Sequence, residues 1–519
     1  MSTAKRITMG VMAAGVLAIV VAGCAPEEEE AVARDTLTIA IGAEPESLDP
    51  VQMTSAPAAT VGEHAVERLI YMEEDGELTP MLATSWDSNE EGTEWTFRLR
   101  EGVEFHDGEP FNAEAVKVNL DRFLDPDVGA VYAFLLGSVQ EVEVVGEYEV
   151  RLHLEEPFAP ILSHLSHSFI GMISPAQIED SYLDDVGSPV GTGPYEMVSW
   201  DRGDRIEMTI NDNYWGDTPQ IENLRFTFIS EDSARIVALE TGEADAIMAV
   251  PPTDAVRLEG NDDIDVTYQT SVRQIYVGFN VNHEPFDNKT VRQALNYAVD
   301  KEIIVDTIFE GNAFVADAPI VDAVVGHTSV GPYEYDPDRA REMLAEAGYA
   351  DGFEVTLYHP TGRYPQDSTV AEIVQDQLAD VGVDLTLETM EWSSYLDYLY
   401  LPEDESDYRM YVLGWGTVTL DADYGLFALF HGEQGAPAGN NISYYRNDEV
   451  DVLLEEARVN TEPAAREALY GEAIELIWDD ASWLFLYNEG QINASHRSVE
   501  GLIHHPLENL SAWDAYFVD

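Results

Sequence analysis

Residues 274–301 read QIYVGFNVNHEPFDNKTVRQALNYAVDK. Gln274–Val281 reads as a strand, Asn282–Asp287 as a turn and Asn288–Val299 as a helix. Downstream, a helix over Arg339–Ala347 is capped by Gly348 and a strand follows at Phe353–Tyr358. A longer helix over Thr369–Val381, a strand at Asp384–Glu388 and another at Met410–Trp415 continue the pattern. Upstream, Asp35–Gly42 alternates polar and apolar residues as a half-buried strand does, then meets the turn-rich loop Ala43–Pro50. Residues 56–72 read as one helix ending in Leu69-Ile-Tyr71. Residues 95–100 and 149–154 are strands, and Ala113–Phe123 is a helix. Strands at Tyr195–Trp200, Arg205–Ile210 and Leu224–Phe228 precede a helix at Ser233–Gly242. Strands alternating with helices predict a mixed α/β fold.

At 519 residues, 45% hydrophobic and 10% aromatic, the chain exceeds what one core fills, so two lobes are expected. Its 99 Asp and Glu against 26 Lys and Arg give a net charge of −73. Without a basic patch, nucleic acid and anionic membrane surfaces are poor partners. The acid is spread along the whole chain, and Lys5, Lys117, Lys289 and Lys301 are its only lysines. Both features fit a saline, halophilic setting, where short-range screening relieves carboxylate repulsion.

The single cysteine, Cys24, excludes an internal disulfide and a multi-cysteine metal site. Residues 1–6 are basic and residues 7–23 apolar with small residues at the end, the pattern of an export signal. Val21-Ala-Gly-Cys24 resembles the lipobox of bacterial lipoproteins, which implies cleavage after residue 23 and acylation of Cys24. Residues 24–35 then read as an acidic tether. The folded body is thus expected outside the cytoplasmic membrane, in the periplasm or on the outer face, held by its lipid.

A series of motifs resembles the extracytoplasmic solute-binding protein family 5, whose members feed peptide, nickel and glutathione ABC transporters. They are Ser47-Leu-Asp-Pro50, Pro80-Met-Leu-Ala-Thr-Ser-Trp86, Trp95–Val103, Phe105-His-Asp-Gly-Glu-Pro-Phe111, Val190-Gly-Thr-Gly-Pro-Tyr195, Asn213-Tyr-Trp215, Leu239–Asp245 and Phe279-Asn280 with Pro285–Lys301. Together they cover nearly all of residues 36–519. The resemblance implies a two-lobed periplasmic-binding-protein-like fold of the peptide-binding type. Lobe I would combine 36–272 with 488–519, with an extra subdomain at 60–185, and lobe II would span 273–487. Hinges would fall near Ser271–Gln274 and Leu486–Asn488. Asp107-Gly108 suits a tight reversal and Asn112 a helix N-cap, while Gly191-Thr-Gly-Pro194 reads as a backbone crossing between subdomains. Arg292 and Lys301 read as solvated or salt-bridged helix residues.

The resemblance places a ligand loop in Leu413–Gly425. Family peptide binders carry an amine-pairing aspartate three residues after the tryptophan, where this chain has Val418. Asp421 and Asp423 follow, either of which is a candidate for an amine by a charge-assisted bond; the alternative is a solvated acidic loop. Arg363 stands in a strand-to-helix loop as the candidate for a ligand carboxylate, or else pairs with a surface acid. Tyr276, Trp392, Trp415 and Tyr424 are candidate apolar walls, with core packing the alternative, and Glu44 and Ser47 are candidates from lobe I.

The reading is therefore a monomeric, non-enzymatic substrate-binding lipoprotein. It would deliver a short peptide or glutathione-type solute to a permease and its ATPase subunits, without a cofactor. Nickel chelates or opines are the alternative ligands, and His164, His167 and the pair His504-His505 invite a metal reading that their spacing does not carry. A secreted peptidase is the less favoured class, since neither HExxH nor GxSxG occurs.

Overall fold

The computed structural model describes residues 34–183 and 187–518. The export segment, Cys24 and the tether to residue 33 lie outside the described residues. The strand read at Gln274 is the second half of a longer one, Ile264–Phe279. It runs antiparallel to Trp483–His496, and these two strands join an 11-stranded mixed sheet. On one side of the pair lie Ala246–Ile247, Thr36–Ile41, Asn223–Phe228, Arg205–Ile210 and Tyr195–Asp201. On the other lie Met410–Gly416, Phe353–Pro360 and Val383–Met390. Separate hydrophobic cores fill the two sides: Leu37, Ile39, Ile206 and Phe226 in the first lobe, Val277, Phe279, Leu295 and Val374 in the second.

The helix Lys289–Ala298 shows how local sequence fixes this packing. Asn288 caps it by accepting from the Thr290 amide at 2.9 Å, and Val291, Ala294, Leu295 and Ala298 form its buried stripe. Burying Leu295 contributes about 1.5–3 kcal/mol. Arg292 and Lys301, expected to be solvated or salt-bridged, are buried instead and bonded to main-chain carbonyls. Arg292 is buried and donates to the carbonyls of Phe286, Asp480 and Ala481, satisfying a helix C-terminus. Lys301 is buried and donates to the Asn296 carbonyl, and burial lowers its pKa to about 7. Asn296 ties the same helix to the long strand through the Trp483 carbonyl and the Phe485 amide.

A further subdomain packs Ala83–Ser88, Glu94–Leu99, Glu149–Leu154 and Val139–Gly146 into a four-stranded antiparallel sheet under the helix Ala113–Leu124. Gly108 takes φ 85° in the turn before it, and Asn112 caps the helix through the Ala115 amide. The single helix expected over 56–72 is shorter, Ala56–Gly62, and Ile70–Met72 is a strand. The intervening Glu63, His64, Glu67 and Arg68 are buried, and the first three are hydrogen-bonded to distant segments, so the chain leaves the helix to place them. Among these contacts is the crossing at Gly191–Gly193, where the Gly193 amide donates to the Ala65 carbonyl at 3.0 Å.

Candidate ligand-binding cleft

The two long strands carry the floor of a cavity of about 670 Å3. Their ladder breaks between Thr270 and Gln274, where residues 271–273 leave the pairing. Arg273, in that break, meets Glu489 across the strands with Nε 3.1 Å from Oε2. The first lobe adds Gly42, Ala43, Pro57 and Ala249–Thr253, and its C-terminal segment adds Glu508. The second lobe adds Ile308, Phe309 and Asn312, next to a π-helical turn at Ile304–Ile308, together with Arg363–Gln366. Three of the seven described non-glycine residues with positive φ (Ala249, Gln366 and Glu508) line this cavity. Strained backbone gathers where a surrounding structure holds side chains for use.

The charges in the lining are unevenly satisfied. Asp232 is held by Arg235. Burial pushes Glu489 up to about 7 against the pull of Arg273, and Glu508 adds to the rise. Its Oε1 is buried without a hydrogen-bond partner among the described residues. Arg273 loses by burial but gains more from Glu508 and Glu489, so its guanidinium stays firmly charged. Glu508 accepts from Ser271 Oγ at 2.6 Å through Oε1. Arg363 is exposed, and Asp367 fixes its main chain by accepting from its amide at 3.0 Å. The Arg363 guanidinium lies 5.0 Å from the Tyr364 ring centre and 5.1 Å from that of Trp392. No carboxylate among the described residues lies within ion-pair distance of it.

Of the residues singled out in the sequence, Arg363 alone lines this cavity. Trp392 is half-buried beneath it. Asp421 and Asp423 sit elsewhere, in buried ion pairs. Asp421 caps the helix Ala422–Phe430 and accepts from both Arg466 terminal nitrogens at 2.9 Å. Burial raises its pKa and Arg466 more than reverses the effect, leaving it below the usual range. Asp423 Oδ1 is 3.0 Å from Arg458 Nε, close enough to pair but not aligned for a hydrogen bond, and burial pushes its pKa to about 6. Their work is at the contact between lobes: Arg458 lies over Phe427 at 3.7 Å and Phe158 of the first lobe at 5.0 Å, and its carbonyl accepts from the Ala159 amide at 2.7 Å.

Trp415 stacks on Tyr424 at 5.3 Å, and Tyr424 stacks on Phe134 of the further subdomain at 6.1 Å. Tyr276 is a core residue, fully buried and stacked 3.5 Å from Trp483. Glu44 braces its own loop, accepting from Trp200 Nε1 and the Gly203 amide. Ser47 is buried and accepts from the Asp49 amide, while Asp49 forms a buried bidentate pair with Arg122. Of the four histidines of the metal reading, His164, His167 and His505 are buried and His504 is half-buried, and all are bonded to protein. His164 bonds the Leu135 carbonyl and His504 bonds Asn493, while His167 and His505 accept from the Phe169 and Leu507 amides. Burial depresses the pKa of each. Among the described residues, no group of three or more potential ligands is placed to hold a metal ion.

Sequence reading missed Arg273, Glu489 and Glu508. All three are charged residues in strands or turns without a motif, and only the strand pairing brings them together.

Residues 77–437 match the family model of bacterial extracellular solute-binding proteins, family 5. The chain is 34% identical over 507 residues to a glutathione-binding protein of Pectobacterium atrosepticum, covering 97% of each. It superposes on HbpA2 from Haemophilus parasuis with a TM-score of 0.86 at 27% identity, over 93% of this chain and 100% of the other. Against the periplasmic binding protein DppA from Helicobacter pylori in complex with the peptide STSA, the TM-score is 0.75 at 27% identity, over 93% and 98%.

Proposed function

The chain belongs to the bacterial extracellular solute-binding proteins, family 5, and from that premise we propose that it is the substrate-binding component of an ABC importer. It captures a short peptide or glutathione-like solute between its lobes and presents it to the membrane permease and its ATPase subunits. The observation that carries this reading is Arg363, a guanidinium with no carboxylate partner among the described residues, in the lining of a partly open cavity between the lobes. A volume of about 670 Å3 suits a small solute, and a planar guanidinium suits a carboxylate.

The lobes divide at the broken ladder. We take 36–272 with 488–519 as the first lobe, 60–185 as its extra subdomain and 273–487 as the second, with hinges near Ser271–Gln274 and Leu486–Asn488. Between Thr270 and Gln274 the two long strands are not paired to each other, which supports closure there. The protein works as a monomer without catalysis or cofactor. Acylated Cys24 holds it on the outer face of the membrane beside its permease, and Cys24→Ala would release it to the soluble fraction; retention would overturn the anchor.

A thermal-shift screen of the purified protein at high salt tests the function. It should cover di- to pentapeptides, glutathione, opines and nickel chelates. Saturating peptide or glutathione should protect by about 1–4 kcal/mol. Protection by chelates or opines alone would replace the ligand class, and turnover of a bound peptide would overturn the receptor reading.

A further inference from the structure

The cavity is dipolar. With Asp232 held by Arg235, its charged lining reduces to Arg273, Glu489 and Glu508 at the floor and Arg363 on the wall. Arg273 pairs with Glu489, which leaves Glu508 as the floor carboxylate with no ion-pair partner among the described residues. Arg363, which has no acid within ion-pair distance among the described residues, keeps one positive charge. The poles also belong to opposite sides: Glu508 comes with the C-terminal segment beside the first lobe, Arg363 with the loop after Phe353–Pro360 of the second.

Glu508 has the features of a placed side chain. Its backbone is held at φ 65°, its amide donates to the His505 carbonyl at 3.0 Å, and one carboxylate oxygen takes the Ser271 hydroxyl at 2.6 Å. Its second oxygen has no donor among the described residues. Arg363 is placed likewise by Asp367 through its main chain, and its guanidinium, over the Tyr364 and Trp392 rings, has no carboxylate partner among the described residues.

We infer that Glu508 holds the ligand's ammonium group while Arg363 holds its carboxylate, so that one zwitterion spans both lobes and draws them together. The assignment rests on the peptide-binding reading above and moves the amine pole from the loop after Trp415 to the C-terminal segment. Specificity follows: a solute with only one of the two charges closes the cleft with one pole unsatisfied, which costs more than the bond it forgoes.

The test is calorimetric titration of trialanine and glutathione, each free and N-acetylated, into the wild-type protein, Glu508→Gln and Arg363→Gln. The wild type should bind the free-amine forms about tenfold or more tightly than the acetylated ones, as a charge-assisted bond in a closed site requires. Glu508→Gln should lose that preference, chiefly through weaker binding of the free-amine forms. Arg363→Gln should weaken both forms and keep the preference. The wild-type comparison needs no variant to fold. A wild type indifferent to acetylation, or a Glu508→Gln protein that keeps the preference, overturns the amine pole and leaves the transport reading intact. A wild type that binds neither trialanine nor glutathione in any form overturns the peptide-binding reading and the amine pole with it.

Discussion

Asp421 accepts two bonds from Arg466 at 2.9 Å and caps its own helix, so replacing it leaves a buried guanidinium without a counter-ion. Asp421→Asn should therefore lower unfolding free energy by about 3–5 kcal/mol in urea titration and leave peptide affinity unchanged. Lost affinity with unchanged stability would return Asp421 to the ligand. In the sequence this residue looked like a ligand acid because its partner lies 45 positions away. Arg363 was legible because it stands in a strand-to-helix loop with few other cations near it. Glu63 gives a pH-dependent counterpart. It is buried beside Arg68, one oxygen bonded to Asn509 and the other without a partner among the described residues. Burial, opposed by Arg68, pushes its pKa from 4.5 to about 7. Between those values the folded state holds a proton that the unfolded state has released, so this residue costs stability as pH rises through the window. Glu63→Gln should gain on the wild type by about 1.4 kcal/mol for each pH unit from 4.5 to 7, and level off above. A difference that does not change with pH would mean that Glu63 titrates normally in the fold.

Elements were legible where their own residues decide them. The helix Asp232–Thr241 ends at Gly242 with φ 74°, and the helix Lys289–Ala298 follows its capping Asn288 and its apolar stripe. The overrun at residues 63–69 has a tertiary cause. Glu67 leaves the helical path to accept from Thr192, Tyr214 and Trp215, three donors from a segment more than 100 residues on. That segment approaches only because its glycines lack side chains. A Cβ on Gly191 would run into the Ala65 carbonyl, and one on Gly193 into the His64 carbonyl, both main-chain atoms that cannot swing away. Gly191→Ala should thus cost about 1–3 kcal/mol or more in urea unfolding, whereas Gly108→Ala meets open space and pays only for its positive φ. Equal effects would show that close approach is not what Gly191 supplies.

At the scale of the molecule, a two-lobed α/β body was legible from the ordered motifs, but the cavity was not, because its floor depends on which strands pair. Charge is the property that acts on the whole body at once. With 99 acids against 26 Lys and Arg, most carboxylates have like-charged neighbours, and surface pairs such as Arg98–Asp87 neutralise only a few. The buried pairs Asp49–Arg122 and Asp421–Arg466 are shielded from salt, so added ions act mainly on the surface repulsion. Screening lengths fall from about 10 Å at 0.1 M to about 3 Å at 1 M, so the thermal midpoint should climb with sodium chloride. Screening gives most of its gain at low ionic strength, while ion exclusion from the surface grows steadily with concentration. A steep early rise that flattens near 1 M therefore assigns the stabilisation to carboxylate repulsion and fits a protein built for brine. A straight rise into multimolar salt assigns it to exclusion, and a flat profile would show that the acids are too dispersed to strain the fold.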